Sequence, residues 1–167
     1  IGWEQGGHSM DRILAADEIV KSPGIADSTP VMKAVRERGI PVVSEIELAA
    51  RYFPEGTRTV CITGSNGKTT TTMLTHHILR RAGIDASEAG NIGRSLALQV
   101  AREPHDVYVI ELSSFQLDNM YDFRADTAII TNITPDHLDR YDYKMENYVA
   151  AKMRILQNMR PCDTFIS

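Results

Sequence analysis

Three observations place this chain in the α/β class with a mostly parallel sheet. Short apolar, β-branched segments alternate with amphipathic helical patterns along most of its length. One such segment enters a turn with two glycines and a lysine, then leaves through four threonines into a helix pattern, TVCITGSNGKTTTTMLTHHI (59–78). Two others, DVYVIELS (106–113) and ADTAIITNI (125–133), are almost continuously apolar, as strands covered on both faces must be.

Taken in order, DEIVKS (17–22) reads as a strand ending at the turn SPGI. Ser28 or Thr29 can cap a helix with Pro30 in its first turn, and Val31, Ala34 and Val35 carry it toward Gly39. IPVVS (40–44) is the next strand and EIELAARYF (45–53) a short amphipathic helix. Pro54-Glu55-Gly56 interrupts the pattern, so a domain boundary is expected there, giving units 1–55 and 56–167. RTVCIT (58–63) is a buried strand, Lys68 to Arg81 a helix stopped by Gly83, and IDASEA (84–89) runs into the loop GNIGRS. A last helix spans about Met145 to Met159, with Tyr148, Ala151, Met153, Ile155 and Leu156 as its apolar positions. The chain opens abruptly on IGWEQGGHSM and stops inside the strand-like DTFIS, so both ends read as cuts within a longer protein.

The 167 residues are 43% hydrophobic and carry a net charge of −4 without a basic run, which argues against sequence-independent binding of nucleic acid. No apolar stretch approaches the roughly 20 residues that cross a bilayer, and no charged leader precedes an apolar core. Cys61 and Cys162 lie far apart without metal-ligand spacing, and read as two reduced, buried thiols of a cytoplasmic protein.

The turn at 64–69 carries the chemistry. In Gly64-Ser65-Asn66-Gly67-Lys68-Thr69, backbone N–H groups can curl around phosphate oxygens, and the following helix adds its positive end. Lys68 can reach the β/γ-phosphates and the Thr69 hydroxyl can ligate Mg²⁺. The spacing departs from G-x-x-x-x-G-K-[ST], because Ile62 stands where the first glycine belongs. Glu111, at the carboxyl end of its strand, can join Thr69 on Mg²⁺, although a surface glutamate is the plainer reading. In TNITPDHLDRY (131–141), Asp136 and Asp139 share a face if this is a helical turn, and His137 is a ligand or a structural residue with equal weight. GNIG (90–93) is either a close approach to a ligand or an ordinary loop. Lys152, flanked by alanines on a helix, reads as a solvated surface charge.

ITGSNGKTT, GNIG, ELSSFQL, NITPDHLDRY and YVAAKMRI, in this order and spacing, resemble the Mur ligases, ATP-dependent amino-acid ligases that build the peptidoglycan precursor. ELSSFQL followed by DHLDRY is most similar to the D-glutamate-adding branch, and SPGI and EIEL resemble it too. The resemblance implies a partial Rossmann-like N-terminal domain (1–55) that binds the uridine nucleotide, then the first half of a P-loop-type central ATPase domain (56–167), with the C-terminal domain absent. It implies ATP phosphates on Gly64, Ser65, Asn66, Gly67, Lys68, Thr69 and Thr70, and two Mg²⁺ ions, one on Thr69 and Glu111 and one on His137 and Lys152. Lys152 would carry a CO₂-derived carbamate, since an ammonium repels Mg²⁺ and a carbamate offers anionic oxygens. UDP-N-acetylmuramoyl-L-alanine would meet Ser22, Pro23 and Gly24 at its uracil and Asn91, Ser113, Gln116 and His137 further along, with D-glutamate as second substrate. Lys68, Glu111, His137 and Lys152 would be the catalytic set of a monomer. The competing readings are another Mur-type or folylpolyglutamate-type ligase, a P-loop kinase, and a P-loop nucleotide-binding module without ligase activity.

Overall fold

The computed structural model describes residues 2–167; Ile1, the first residue of the expected 1–55 unit, lies outside them. A short helix α1 (Met10–Leu14) precedes β1 (Ile19–Lys21), α2 (Pro30–Glu37) and β2 (Val42–Ser44). β1 and β2 pair in parallel, Ile19 beside Val42 and Lys21 beside Ser44, and α2 covers them with Met32 and Val35. Pro30 opens α2 with a preset φ. Thr29 stands at the N-cap, but its hydroxyl donates backward to the Ala26 carbonyl (2.8 Å) and caps no helical N–H.

Ser44 then caps α3 (Glu45–Ala50) by accepting from the Glu47 N–H. β3 (Arg58–Thr63), α4 (Lys68–Arg81), β4 (Ala86–Gly90), α5 (Leu96–Arg102), β5 (Val107–Glu111), α6 (Ser114–Leu117), β6 (Thr127–Ile130), α7 (Met145–Met153) and β7 (Thr164–Ile166) follow. The second sheet is wholly parallel in the order β4-β5-β3-β6-β7. Cys61, Ile62, Tyr108, Val109 and Ile110 are fully enclosed, as their continuous apolar runs require. Ile46 and Ala49 of α3 belong to this larger core, against Leu96 of α5. β5 and β6 are consecutive in the chain yet flank β3 on opposite sides, so the loops leaving all three strands surround one crevice.

Several expectations are corrected. β5 stops at Glu111 because Ser113 turns the chain into α6 through a reciprocal capping box with Gln116. The expected helix to Met159 is α-helical only to Met153; a 3₁₀ turn, Arg154–Leu156, follows, and Asn158 takes a left-handed φ of 64°. Cys61 is buried, but Cys162 is exposed in the turn before β7. Helices α5 and α6 stand where no helix was expected, α5 signalled only by its cap Ser95, which accepts from the Leu98 N–H.

Candidate active site

The turn after β3 is bent by glycine and then held from outside. Gly64 has φ 148°, and a Cβ there would lie 1.9 Å from Thr131 Oγ1. Gly67, at φ 83°, swings the chain into α4 as its N-cap. The loop leaving β6 secures this turn. Asn132 accepts from the Ser65 N–H through its carbonyl (2.9 Å) and from the Asn66 N–H through Oδ1 (3.0 Å). Thr131 Oγ1 and Asn132 Nδ2 donate to the Asn66 carbonyl at 2.7 and 2.9 Å. Ser65 Oγ accepts from the Thr134 N–H and lies 3.1 Å from the Tyr148 hydroxyl. Two amides of the turn are therefore committed within the protein. The amides of 67–69, at the N-terminal end of α4, lack intrahelical acceptors, the arrangement that helix N-termini offer to an anion.

Two ammonium groups meet at one carbonyl. Lys68 Nζ donates to the oxygens of Gly64 (3.0 Å) and Ser65 (2.9 Å), while Lys152 Nζ donates to Gly64 at 2.7 Å. Lys152 is 2% exposed, so its reading as a surface charge is overturned. α7 buries it beside the Tyr148 ring, 4.7 Å from the centroid, and among the described residues no carboxylate pairs with it. Burial, then repulsion from Lys68, lowers its pKa to about 8, against weaker help from Asp136.

The carboxylate opposite is also enclosed: Glu111 is 2% exposed and is no surface glutamate. Its Oε2 accepts from Thr69 Oγ1 at 2.7 Å and its Oε1 from Asn91 Nδ2 at 2.9 Å. The glycine of the 90–93 loop serves this contact, because a Cβ at Gly90 would lie 2.3 Å from the Glu111 carbonyl. The close approach it permits is to β5 itself.

A cleft of 290 Å³ collects Pro23, Gly24, Lys68, Asn91, Ser113, Phe115, Asp136, His137, Arg140, Tyr148 and Lys152. Glu111 and Thr69 stand behind its Asn91 wall. His137, at a left-handed φ of 48°, sets its ring 5.5 Å from Phe115 and 3.6 Å from Asp136 Oδ2. Ser22 does not line the cleft; its carbonyl closes the 22–25 turn by accepting from the Ile25 N–H (3.0 Å). Gln116 does not line it either, because its Oε1 accepts from the Ser113 amide and hydroxyl, both at 3.0 Å. Thr70 lies exposed on α4. Asp136 faces the cleft while Asp139 lines a neighbouring pocket, so the expected shared face does not form. Arg140 (over the Phe115 ring at 4.7 Å), Tyr148 and Asn132 carry the site without having been singled out. Only Asn132 carries a signal, an amide two residues past the end of β6.

Among the described residues, no three His, Cys, Asp or Glu side chains converge as a metal cage. The adjoining oxygens of Thr69 and Glu111 fit a hard cation such as Mg²⁺, which takes few protein ligands and completes its shell with phosphate and water. His137 and an ammonium at Lys152 do not fit a second cation; a lysine bearing anionic oxygens would.

A model of the Mur ligase middle domain matches residues 62–167. The chain is 61% identical over 166 residues to the UDP-N-acetylmuramoylalanine–D-glutamate ligase of Bacteroides fragilis, covering 99% of this chain and 37% of that one. It is 59% identical over 167 residues to the protein of the same name from Cytophaga hutchinsonii, again 37% of that chain. The chain thus spans 37% of the length of these curated relatives. Among solved structures, the UDP-N-acetylmuramate:L-alanyl-gamma-D-glutamyl-meso-diaminopimelate ligase of Neisseria meningitides superposes with TM-score 0.53 at 19% identity, over 86% of this chain and 50% of that one. E. coli FolC in complex with DHPP and ADP gives 0.54 at 18%, over 71% and 40%. At those identities the likeness is one of fold. With the family model spanning most of its residues, and with the glycine turn, α4, Lys68 and Lys152 all inside the match, the chain belongs to the Mur ligase family.

Proposed function

We propose that the parent of this chain is an ATP-dependent ligase that joins D-glutamate to UDP-N-acetylmuramoyl-L-alanine in peptidoglycan precursor synthesis, acting in the cytoplasm as a monomer. The observation that carries the reading is the meeting of Lys68, Lys152 and the Asn91–Glu111–Thr69 chain at one polar cleft. The 61% identity to a ligase of that name supports it. Residues 1–55 are then the later part of the substrate domain and 56–167 the first half of the ATP domain. A piece covering 37% of its relatives' length is expected to be inactive alone.

In this reaction the acceptor's carboxylate oxygen attacks the γ-phosphorus of ATP. The bond from phosphorus to the bridging oxygen breaks, and ADP leaves with its electron pair. The amine of D-glutamate then attacks the acyl carbon of the acyl phosphate. The C–O bond to phosphate breaks, phosphate departs, and the amine's proton passes to solvent. No protein nucleophile is required, so the protein contributes position and charge. Lys68 would exchange its two loop carbonyls for phosphate oxygens, and the amides of 67–69 would donate to the phosphate chain. Thr69 and Glu111 would hold a first Mg²⁺; His137 and a carbamylated Lys152 would hold a second. These ions supply positive charge against the phosphate oxygens when bound. Pro23 and Gly24, with Ser22 behind them, would meet the uracil end, and Asn91 and Ser113 the sugar, Gln116 acting by fixing Ser113.

The test is phosphate release by the full-length parent. It is expected only with UDP-N-acetylmuramoyl-L-alanine and D-glutamate together. Release with a different amino acid would assign another ligase of the family. Nucleotide binding without acceptor-dependent release would leave a binding module, and an isolable phosphorylated product a kinase.

A further inference from the structure

From Leu117, the last residue of α6, the chain runs on through 118–123 without regular structure, yet the backbone groups of 117–123 are gripped from three sides. Glu47, 1% exposed at the start of α3, accepts from three successive amides: Tyr121 (3.0 Å), Asp122 (3.0 Å) and Phe123 (3.1 Å). The carbonyls of the same segment are taken by side chains that follow α7. Arg154 donates to Leu117 (2.8 Å) and to Met120, Gln157 to Met120 (2.7 Å), and Asn158 to Tyr121 (2.6 Å) and Phe123 (3.1 Å). The third grip comes from β2, whose Ser44 N–H donates to the Asn119 carbonyl at 2.7 Å.

These attachments join the two walls of the cleft. Ser44 ends the strand paired with β1, and β1 leads directly into Pro23 and Gly24. Arg154 comes two residues after Lys152. A buried carboxylate that accepts three backbone N–H groups is a stiff joint, because each unmade bond would leave a desolvated donor. The turn at 64–69 makes none of these bonds; 131–134 supplies most of its hold, with Lys152 and Tyr148 of α7 touching it at Gly64 and Ser65.

We propose that the 117–123 strap sets the separation between the 22–24 wall and the Lys152 wall, with Glu47 as its principal positioning residue. Resting on the ligase reading, this makes Glu47 a determinant of acceptor placement and leaves nucleotide affinity to the turn after β3. Glu47→Gln keeps the volume but turns an NH₂ toward backbone donors, so at least one amide loses its acceptor.

Two measurements on the full-length parent test this. In steady-state phosphate release, Glu47→Gln is expected to lower kcat by about 10- to 100-fold, the scale of a 1 Å misplacement. KM for the UDP-sugar should rise, while KM for ATP changes less than about twofold, since Glu47 bonds to 121–123 and makes no contact with the phosphate turn. A lowered unfolding midpoint with both KM values and kcat unchanged would reduce Glu47 to a structural role and overturn the proposal. So would equal rises in the two KM values. The second measurement needs no activity: spin labels at Ser28→Cys and Met153→Cys, in a Cys162→Ser background, should give a narrow distance distribution that broadens with Glu47→Gln. An unchanged width overturns the strap. A wild type without acceptor-dependent release, but with that broadening, would sink the ligase reading alone. If Glu47→Gln does not fold, Asn158→Ala removes two carbonyl contacts only; a few-fold rise in acceptor KM and a broader distribution support the strap, and neither change overturns it.

Discussion

Lys21 and Lys152 are both buried lysines, 5% and 2% exposed, and they differ in what faces the ammonium. Lys21 sits 2.9 Å from Asp27 Oδ1 and 3.2 Å from the Ile25 carbonyl, a closed pair that braces the turn after β1. Burial works against ionisation of Asp27, but hydrogen bonds from Lys21 and then Arg36 outweigh it and hold its carboxyl below the usual range. Lys152 has one carbonyl, a tyrosine face and a second lysine nearby, with no carboxylate in contact among the described residues. A structural lysine is neutralised where it lies. A lysine kept buried without a partner, its pKa lowered, offers more free amine to CO₂, which is consistent with the carbamate proposed for Lys152 beside Lys68 in the cleft.

The difference breaks most visibly in activity. In the full-length parent, Lys152→Ala is expected to lower kcat by about 1,000-fold, the scale of losing a preorganised charge, with no rescue by bicarbonate. Lys21→Met should leave kcat within about threefold, on the view that it touches no reacting group. Wild-type turnover by Lys152→Ala would end the distinction.

Stability should respond the opposite way. Lys21→Met leaves the Ile25 carbonyl and part of Asp27 without a donor and is expected to cost about 1–3 kcal/mol, read from the denaturant midpoint. Lys152→Met removes an unneutralised ammonium and should stabilise by a similar amount at pH 7, on the order of 1–3 kcal/mol. That gain has a pH signature. The pKa of Lys152 falls from 10.5 to about 8 on folding, so between those values the folded chain has shed a proton that the unfolded chain keeps. Wild-type stability therefore rises with pH across that window. The advantage of Lys152→Met should shrink as pH climbs past 8, and a constant advantage in paired urea titrations would remove Lys152 as its source.

The smallest effect belongs to Asp27, whose side chain is 45% exposed. Asp27→Asn should cost less than about 1 kcal/mol at pH 7, because half-solvated pairs are weak. Its carboxyl is held below 3.8 on folding, so the stability it adds is present above that value and disappears as pH falls through the folded-state pKa. Mutant and wild type should converge in acid.

Much of the scaffold was legible in the letters. β3 at Arg58–Thr63 and α4 at Lys68–Arg81 match the expected bounds, since a continuous apolar run, two glycines and a helical period are all local signals. α6 was not legible: ELSSFQ continues the apolar pattern, and only the Ser113–Gln116 capping box, a matter of side-chain orientation, ends the strand. Lys152 shows the same limit. Its flanking alanines suit any helix surface, and its burial follows from where α7 lies across the turn after β3.

The amino-acid sequence by itself determined the α/β class, the strand and helix on either side of the glycine turn, and the suitability of that turn for phosphate, because backbone preference and hydrophobic period act between near neighbours. Tertiary structure alone decided which charges are enclosed and which share a cavity. Desolvation and Coulomb energy depend on distances between residues far apart in the chain, as Lys152 and Gly64 are, and on the water that packing excludes from between them.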